Sequence, residues 1–157
     1  MTIYYLDSSA WIKRYCVEQG SERIAGFFGA GPAIGCAALG LVEVLATLVR
    51  KAKAREIAAM HMHVKCREAE RDFALFHKVF LTPDLLRRAC ECAYRYGLRG
   101  ADTVHLASCL DLRDRLGRPQ IVLVSSDSEL LTGARQCGIP AVDPEKDEIG
   151  ERLAPGK

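Results

Sequence analysis

The chain has 157 residues, the length of a single domain. Apolar residues (AVILMFWYC) make up 49% and charged residues 27%, ordinary globular usage that excludes a disordered chain. Twenty-two Lys and Arg against 20 Asp and Glu leave a formal charge of +2, which excludes a histone-like polycation.

In chain order, residues 2–6 (TIYYL) are β-branched, aromatic and apolar up to Asp7, which predicts a short buried strand. Ser8 to Val17 reads as a helix, and Gly20-Ser21-Glu22 opens another through Phe28. Gly29 to Pro32 breaks the chain before a strand at Ala33–Cys36. A long helix from Leu39 to Arg55 and a further helical stretch from Glu56 to Ala74 follow, then a short strand at His77–Leu81. Thr82-Pro83 supplies an N-cap and a first-turn proline for a helix that ends near Gly97. Gly100 opens the next helix, closed after Leu116 by Gly117 and Pro119. Ile121–Val124 is an apolar strand bounded by turn signals, and Ser126 with Glu129 forms a capping box for the helix behind it. Gly138-Ile139-Pro140 ends that helix, and Ala141–Val142 reads as an edge strand.

Short apolar strands separated by helices predict a single-domain, three-layer α/β/α sandwich around a short, mostly parallel sheet. Residues 1–145 form the domain, and the charged tail 146–157 is expected to fray. The longest apolar stretch, Ala37 to Val49, is broken by Glu43 and falls short of the ~20 residues of a membrane span. The opening MTIYYLDSSA has neither the basic nor the apolar region of a secretory signal. Seven cysteines, an odd number without a CxxC pair, point to reduced thiols and a cytoplasmic address.

Four carboxylates stand in telling places. In doubly wound sheets ligands gather beyond the carboxyl ends of the strands. Asp7 directly follows the first strand and Asp127 closely follows the Ile121–Val124 strand. Glu43 is the only charged residue between Ala37 and Val49, on one helical face with Gly40 and Thr47, and a buried lone acid needs a partner. Gly40, one turn back, removes a side chain that would crowd it. Asp102 lies in the first turn of its helix, three residues before His105. Each also has a structural reading, as an N-cap (Asp7), a solvated stripe (Glu43) or a dipole-stabilised first-turn acid (Asp102, Asp127).

The set is more informative than its members. Two carboxylates ~4 Å apart repel by about 4 kcal/mol at an effective dielectric near 20, so a cluster raises its pKa values or recruits a cation. Oxygen ligands without clustered His or Cys select Mg²⁺ or Mn²⁺ over Zn²⁺, as one ion or two. Such a site suits phosphodiester hydrolysis.

The segments YLDSSAWIKRY, LVEVLATLVRK, LRGADTVHLASCL and IVLVSSDSELL, followed by GIPAVDPE, resemble in order the motifs of the PIN-domain family, and within it the VapC-like toxins. The resemblance spans residues 3 to about 145. It implies a Mg²⁺- or Mn²⁺-dependent endoribonuclease cutting single-stranded regions of RNA, including structured RNA such as tRNA. It also implies a homodimer inhibited by a small VapB-like antitoxin. Asp7, Glu43 and Asp102 would be the principal metal ligands. Asp127, at a position more variable in the family, would be the fourth, with Ser8 and Ser125 as supporting hydroxyls.

Arg50, Lys51, Lys53 and Arg55 cluster at the end of the Glu43 helix, and Arg99 lies close to Asp102. Arg50, Lys51, Lys53 and Arg99 are candidate RNA phosphate contacts, although a solvated basic face has the same pattern. His105 reads as a packed or hydrogen-bonded structural histidine. His61, His63 and Cys66 lack a second pair for a soft metal site. No GxGxxG, GxxxxGK[ST] or GxSxG motif is present. Two readings stay open beside the nuclease: a PIN-like RNA-processing or RNA-binding module without a toxin role, and, more remotely, a Mg²⁺-binding receiver-type signalling domain.

Overall fold

A computed structural model describes residues 1–117 and 120–150 of the chain. Strand β1 (Thr2–Leu6) leads into α1 (Ser8–Trp11), which tightens into a 3₁₀ turn over Ile12–Arg14. Helix α2 (Ser21–Gly29) and strand β2 (Ala33–Ala37) follow, then the long helices α3 (Ala38–Lys53) and α4 (Ala59–Leu75). Strand β3 (His77–Val79), helices α5 (Pro83–Tyr96) and α6 (Gly100–Arg115), strand β4 (Gln120–Val124), helix α7 (Ser128–Gln136) and strand β5 (Ala141–Val142) complete the order.

The five strands form one parallel sheet in the order β3-β2-β1-β4-β5. Strand β1 is central because it is apolar on both sides. Ile3 and Tyr5 face the layer of α5, α6 and α7, while Leu6 faces the layer of α1 to α4, the alternation a pleated strand imposes. Each layer has its own core, one built around Leu106, Cys109, Leu112 and Leu130, the other around Trp11, Ile24, Val44 and Leu48. Full burial of one such side chain contributes about 1.5–3 kcal/mol. Helix α6 approaches the sheet so closely that a Cβ at Gly35 of β2 would run into the Leu112 side chain.

Several boundaries differ from the expectation. The helix read over Ser8–Val17 leaves α geometry after Trp11, where the tighter turn accompanies a 2.8 Å bond from Trp11 Nε1 to the Tyr15 hydroxyl. Helix α3 ends in a Schellman-type turn, with the Glu56 amide donating to Lys51 O and Arg55 in the left-handed region at φ 58°. The next helix therefore starts at Ala59 rather than Glu56. The cap of α7 is Asp127, whose Oδ1 accepts from the Leu130 amide at 2.9 Å, so the cap expected at Ser126 moves on by one residue and, with Leu130 at the third helical position, the expected box with Glu129 does not form.

The chain from residue 146 is docked as far as Gly150. Arg23 reaches Glu148 at 2.9 Å and the Pro144 carbonyl at 3.1 Å, and Ile149 packs on the α1–α4 core. Pro119, expected to close α6, and tail residues 151–157 lie outside the described residues.

Candidate active site

Strand β1 connects toward β2 on one side while β4 pairs on its other side, so the crevice beyond β1 and β4 is a topological switch point. Leu6 pairs with Val124, and Asp7 and Ser125 therefore leave the sheet side by side. Asp7 is 3% exposed, and its Oδ1 caps α1 by accepting from the Ala10 amide at 3.1 Å. Ser9 Oγ donates to the carboxylate at 2.9 and 3.0 Å, and Ser125 Oγ donates to Oδ2 at 3.0 Å. Both hydroxyls accept in turn from the β4–α7 connection, Ser125 from the Asp127 amide at 3.0 Å and Ser9 from the Ser126 amide at 2.9 Å. The orientation of Asp7 is thus set from two elements. Burial pushes its pKa up, and the nearby His105 with these donors only partly offsets that.

The serine that holds Asp7 is Ser9. Ser8, expected in that role, lines a neighbouring groove instead. Two adjacent serines in the first turn of α1 leave the choice to local backbone geometry, which the sequence does not disclose.

Glu43, on α3, finds its partner in His105 rather than in a basic residue. Glu43 Oε1 lies 2.6 Å from His105 Nε2, and His105 Nδ1 lies 3.1 Å from the Tyr5 hydroxyl. His105 is 1% exposed, so the histidine read as structural is in direct contact with a candidate ligand. The open side of Gly40 also belongs to this contact. A Cβ there would stand at ordinary contact distance, 3.5 Å from His105 Cε1 and 3.8 Å from the Trp11 ring, so this side of Gly40 packs beside the imidazole and the indole. Burial opposes a charge on His105, but the bond to Glu43 and the charges of Asp7, Glu43 and Asp102 outweigh it and raise its pKa.

Asp102 sits partly buried in the first turn of α6. Its carboxyl is pushed up to about 6, first by burial, then by the charges of Asp127 and Asp7, with Glu43 adding to them and His105 opposing. One group feels the other three, so the four acids share one electrostatic neighbourhood. Among the described residues, the one ion-pair partner of the set is His105 on Glu43; no Lys or Arg pairs with it.

Beside the acids runs a groove of about 570 Å³, lined by Ser8, Ser9, Glu43, Thr47, Arg50 and Ser126 among others. Buried Lys13, also on its wall, is held by Glu18 at 3.0 Å and Glu145 at 2.7 Å, a pairing across 132 residues that sequence does not disclose. Arg50 donates to Thr47 Oγ1 at 3.0 Å and keeps its charge unpaired among the described residues. Lys51 is engaged by Glu56 at 2.9 Å, whereas Lys53 and Arg99 are exposed. A larger cleft of about 700 Å³ against α2 contains none of the four acids.

Among the described residues, no three His, Cys, Asp or Glu side chains already stand close enough to enclose an ion. The chemistry of the donor set nevertheless fits a hard divalent cation: carboxylates and hydroxyls, an excess of negative charge, and one acid raised by burial and by its acidic neighbours. His61, His63 and Cys66 form no such group; Cys66 Sγ instead contacts Met62 Sδ at 3.7 Å.

The raised Asp102 gives a signed expectation. A carboxyl whose folded pKa exceeds its unfolded value binds protons more tightly when folded, so its contribution to stability is lost as pH rises from about 3.8 to about 6. Asp102→Asn is expected to raise the melting temperature of metal-free protein by about 3 °C above pH 7, corresponding to on the order of 1 kcal/mol after solvent screening. At pH 4 the gain should be several-fold smaller. Calorimetry at both pH values checks this, and an equal effect at both would contradict a raised carboxyl at Asp102.

No family model matches the chain. The chain is 32% identical over 138 residues to ribonuclease VapC45 of Mycobacterium tuberculosis, covering 88% of this chain and 93% of that protein. Among solved structures, M. tuberculosis VapC20, described as a sarcin-ricin loop cleaving toxin, superposes with a TM-score of 0.61 at 16% identity, covering 87% of this chain and 95% of that one. A toxin–antitoxin complex from Klebsiella pneumoniae superposes with a TM-score of 0.59 at 15% identity, covering 90% of this chain and 97% of that one.

Proposed function

Since the chain belongs to the VapC ribonucleases of the PIN-domain family, we propose that it is a Mg²⁺- or Mn²⁺-dependent endoribonuclease and the toxin of a toxin–antitoxin pair. Its substrate is single-stranded RNA, including the loops of structured RNA, and its inhibitor is a small VapB-like antitoxin. What supports the reading is the placement of Asp7 and Asp127 beyond β1 and β4 at the switch point, with His105 of the Asp102 helix bonded to Glu43.

Asp7, Glu43 and Asp102 are the residues assigned to hold one or two ions, with Asp127 as a fourth acid whose Oδ1 is shared with the α7 cap. A bound divalent ion supplies Lewis-acid polarisation of the phosphoryl group and a water of lowered pKa. The protein's own contribution is orientation. Ser9 and Ser125 fix Asp7, α6 carries Asp102 from a buried base, and Arg50 stands in the groove to receive a phosphate of the approaching strand. Phe80, Leu81 and Leu86 are exposed apolar side chains close in sequence, which suits a homodimer contact. No described helix is long and apolar enough to cross a membrane, and all seven cysteines are free, which suits a reducing cytoplasm.

Sequencing RNA ends after pulsed expression of wild type and Asp7→Asn tests the activity; new ends specific to the wild type are expected, and identical end profiles would contradict it. Arg50 and Lys53 carry a separate expectation. If they contact phosphates, Arg50→Gln with Lys53→Gln should reduce the slope of log affinity against log salt for single-stranded RNA by about 1.4. An unchanged slope makes them a solvated face.

A further inference from the structure

Among the described residues, Glu43 is the one acid of the four bonded to another ionisable side chain, and that side chain is buried. The glutamate itself is 30% exposed, at the end of a flexible stem that samples several rotamers unless something holds it. The holder is rigid. His105 belongs to α6 and is buried, Gly40 of α3 lies beside its Cε1, and the hydroxyl of Tyr5 on β1 meets its second nitrogen at 3.1 Å. An ionised carboxylate only accepts, so His105 Nε2 carries the hydrogen toward Glu43 in either charge state of the ring. Three elements, β1, α6 and α3, are thereby joined in one line of hydrogen bonds that ends on the Glu43 oxygen.

We infer that His105 is a positioning residue for Glu43: anchored by Tyr5, it fixes where the α3 carboxylate sits and thereby sets the affinity of the acidic site for a divalent cation. This rests on the metal-binding reading of the site. Neither Tyr5 nor His105 belongs to the assigned ligand set, so they act on an ion only through the carboxylate. Partners that orient a ligating side chain typically change metal affinity 10–100-fold when removed.

The test is a Mn²⁺ titration of the purified full chain followed by electron paramagnetic resonance, with a melting curve for each variant. His105→Leu should bind Mn²⁺ about 10–100-fold more weakly than wild type. His105→Gln, whose amide nitrogen can replace Nε2 as the donor, should recover to within about threefold. Tyr5→Phe, which keeps the ring volume and removes the anchor, should lose about threefold or more. Equal Mn²⁺ affinity in wild type and a folded His105→Leu overturns the inference and leaves the metal reading intact. Where His105→Leu does not fold, unchanged affinity in Tyr5→Phe overturns it. A wild type that binds no Mn²⁺ overturns the metal reading itself, and this inference with it.

Discussion

Asp7→Asn is expected to lower RNA cleavage at least about a thousandfold, some 4 kcal/mol of transition-state stabilisation, while the protein stays folded. The two effects separate because the proposed ligand role of Asp7 is distinct from its capping role. As the cap of α1 it needs one acceptor oxygen for the Ala10 amide, and an asparagine supplies that. As a ligand it needs a negative charge, and an asparagine does not. The buried carboxylate is already disfavoured by desolvation, so removing its charge costs little stability. The measurement is a cleavage rate on single-stranded RNA beside a melting curve. Near wild-type turnover in a folded Asp7→Asn protein would take Asp7 out of the chemistry.

Chelation is expected to have an effect of similar size. Exhaustive EDTA treatment should stop cleavage, and Mg²⁺ or Mn²⁺ added in excess should restore it. The reason is electrostatic: among the described residues no Lys or Arg pairs with the four acids, and burial with the neighbouring acids raises Asp102. A cation that binds only the folded state also stabilises it, by about 2.7 kcal/mol at a free concentration 100 times its dissociation constant. Recovery of activity and a rise in melting temperature should therefore follow the same titration. Unchanged turnover after chelation would mean that protein groups alone carry the reaction.

Much of this arrangement is legible in the sequence because it depends on local pattern. A carboxylate immediately after an apolar strand, as at Asp7, lies at the sheet's carboxyl edge whatever else the chain does. The isolation of Glu43 in an apolar helix signalled an unmet need for a partner. The identity of that partner was not local, since His105 lies 62 residues away and the contact exists only once α3 and α6 face each other across the sheet edge. Other details turned on a single residue of register. Ser126 and Asp127 are both good caps, and the backbone at the end of β4 selects the second. Ser8 and Ser9 are chemically alike, and the entry to α1 selects Ser9 for Asp7. The docking of residues 146–150 depends on Arg23 and the floor of the α2 cleft, which no property of a charged tail announces.

Soaking crystals of the wild-type protein in Mn²⁺ and collecting anomalous diffraction is the most direct measurement of the arrangement. The expected result is an anomalous peak at the crevice beyond β1 and β4, with oxygens of Asp7 and of Asp102 or Glu43 at roughly 2.1 Å, the range of a small hard cation. Carboxylates turned away from one another with no peak between them, at Mn²⁺ concentrations that support cleavage, would contradict it.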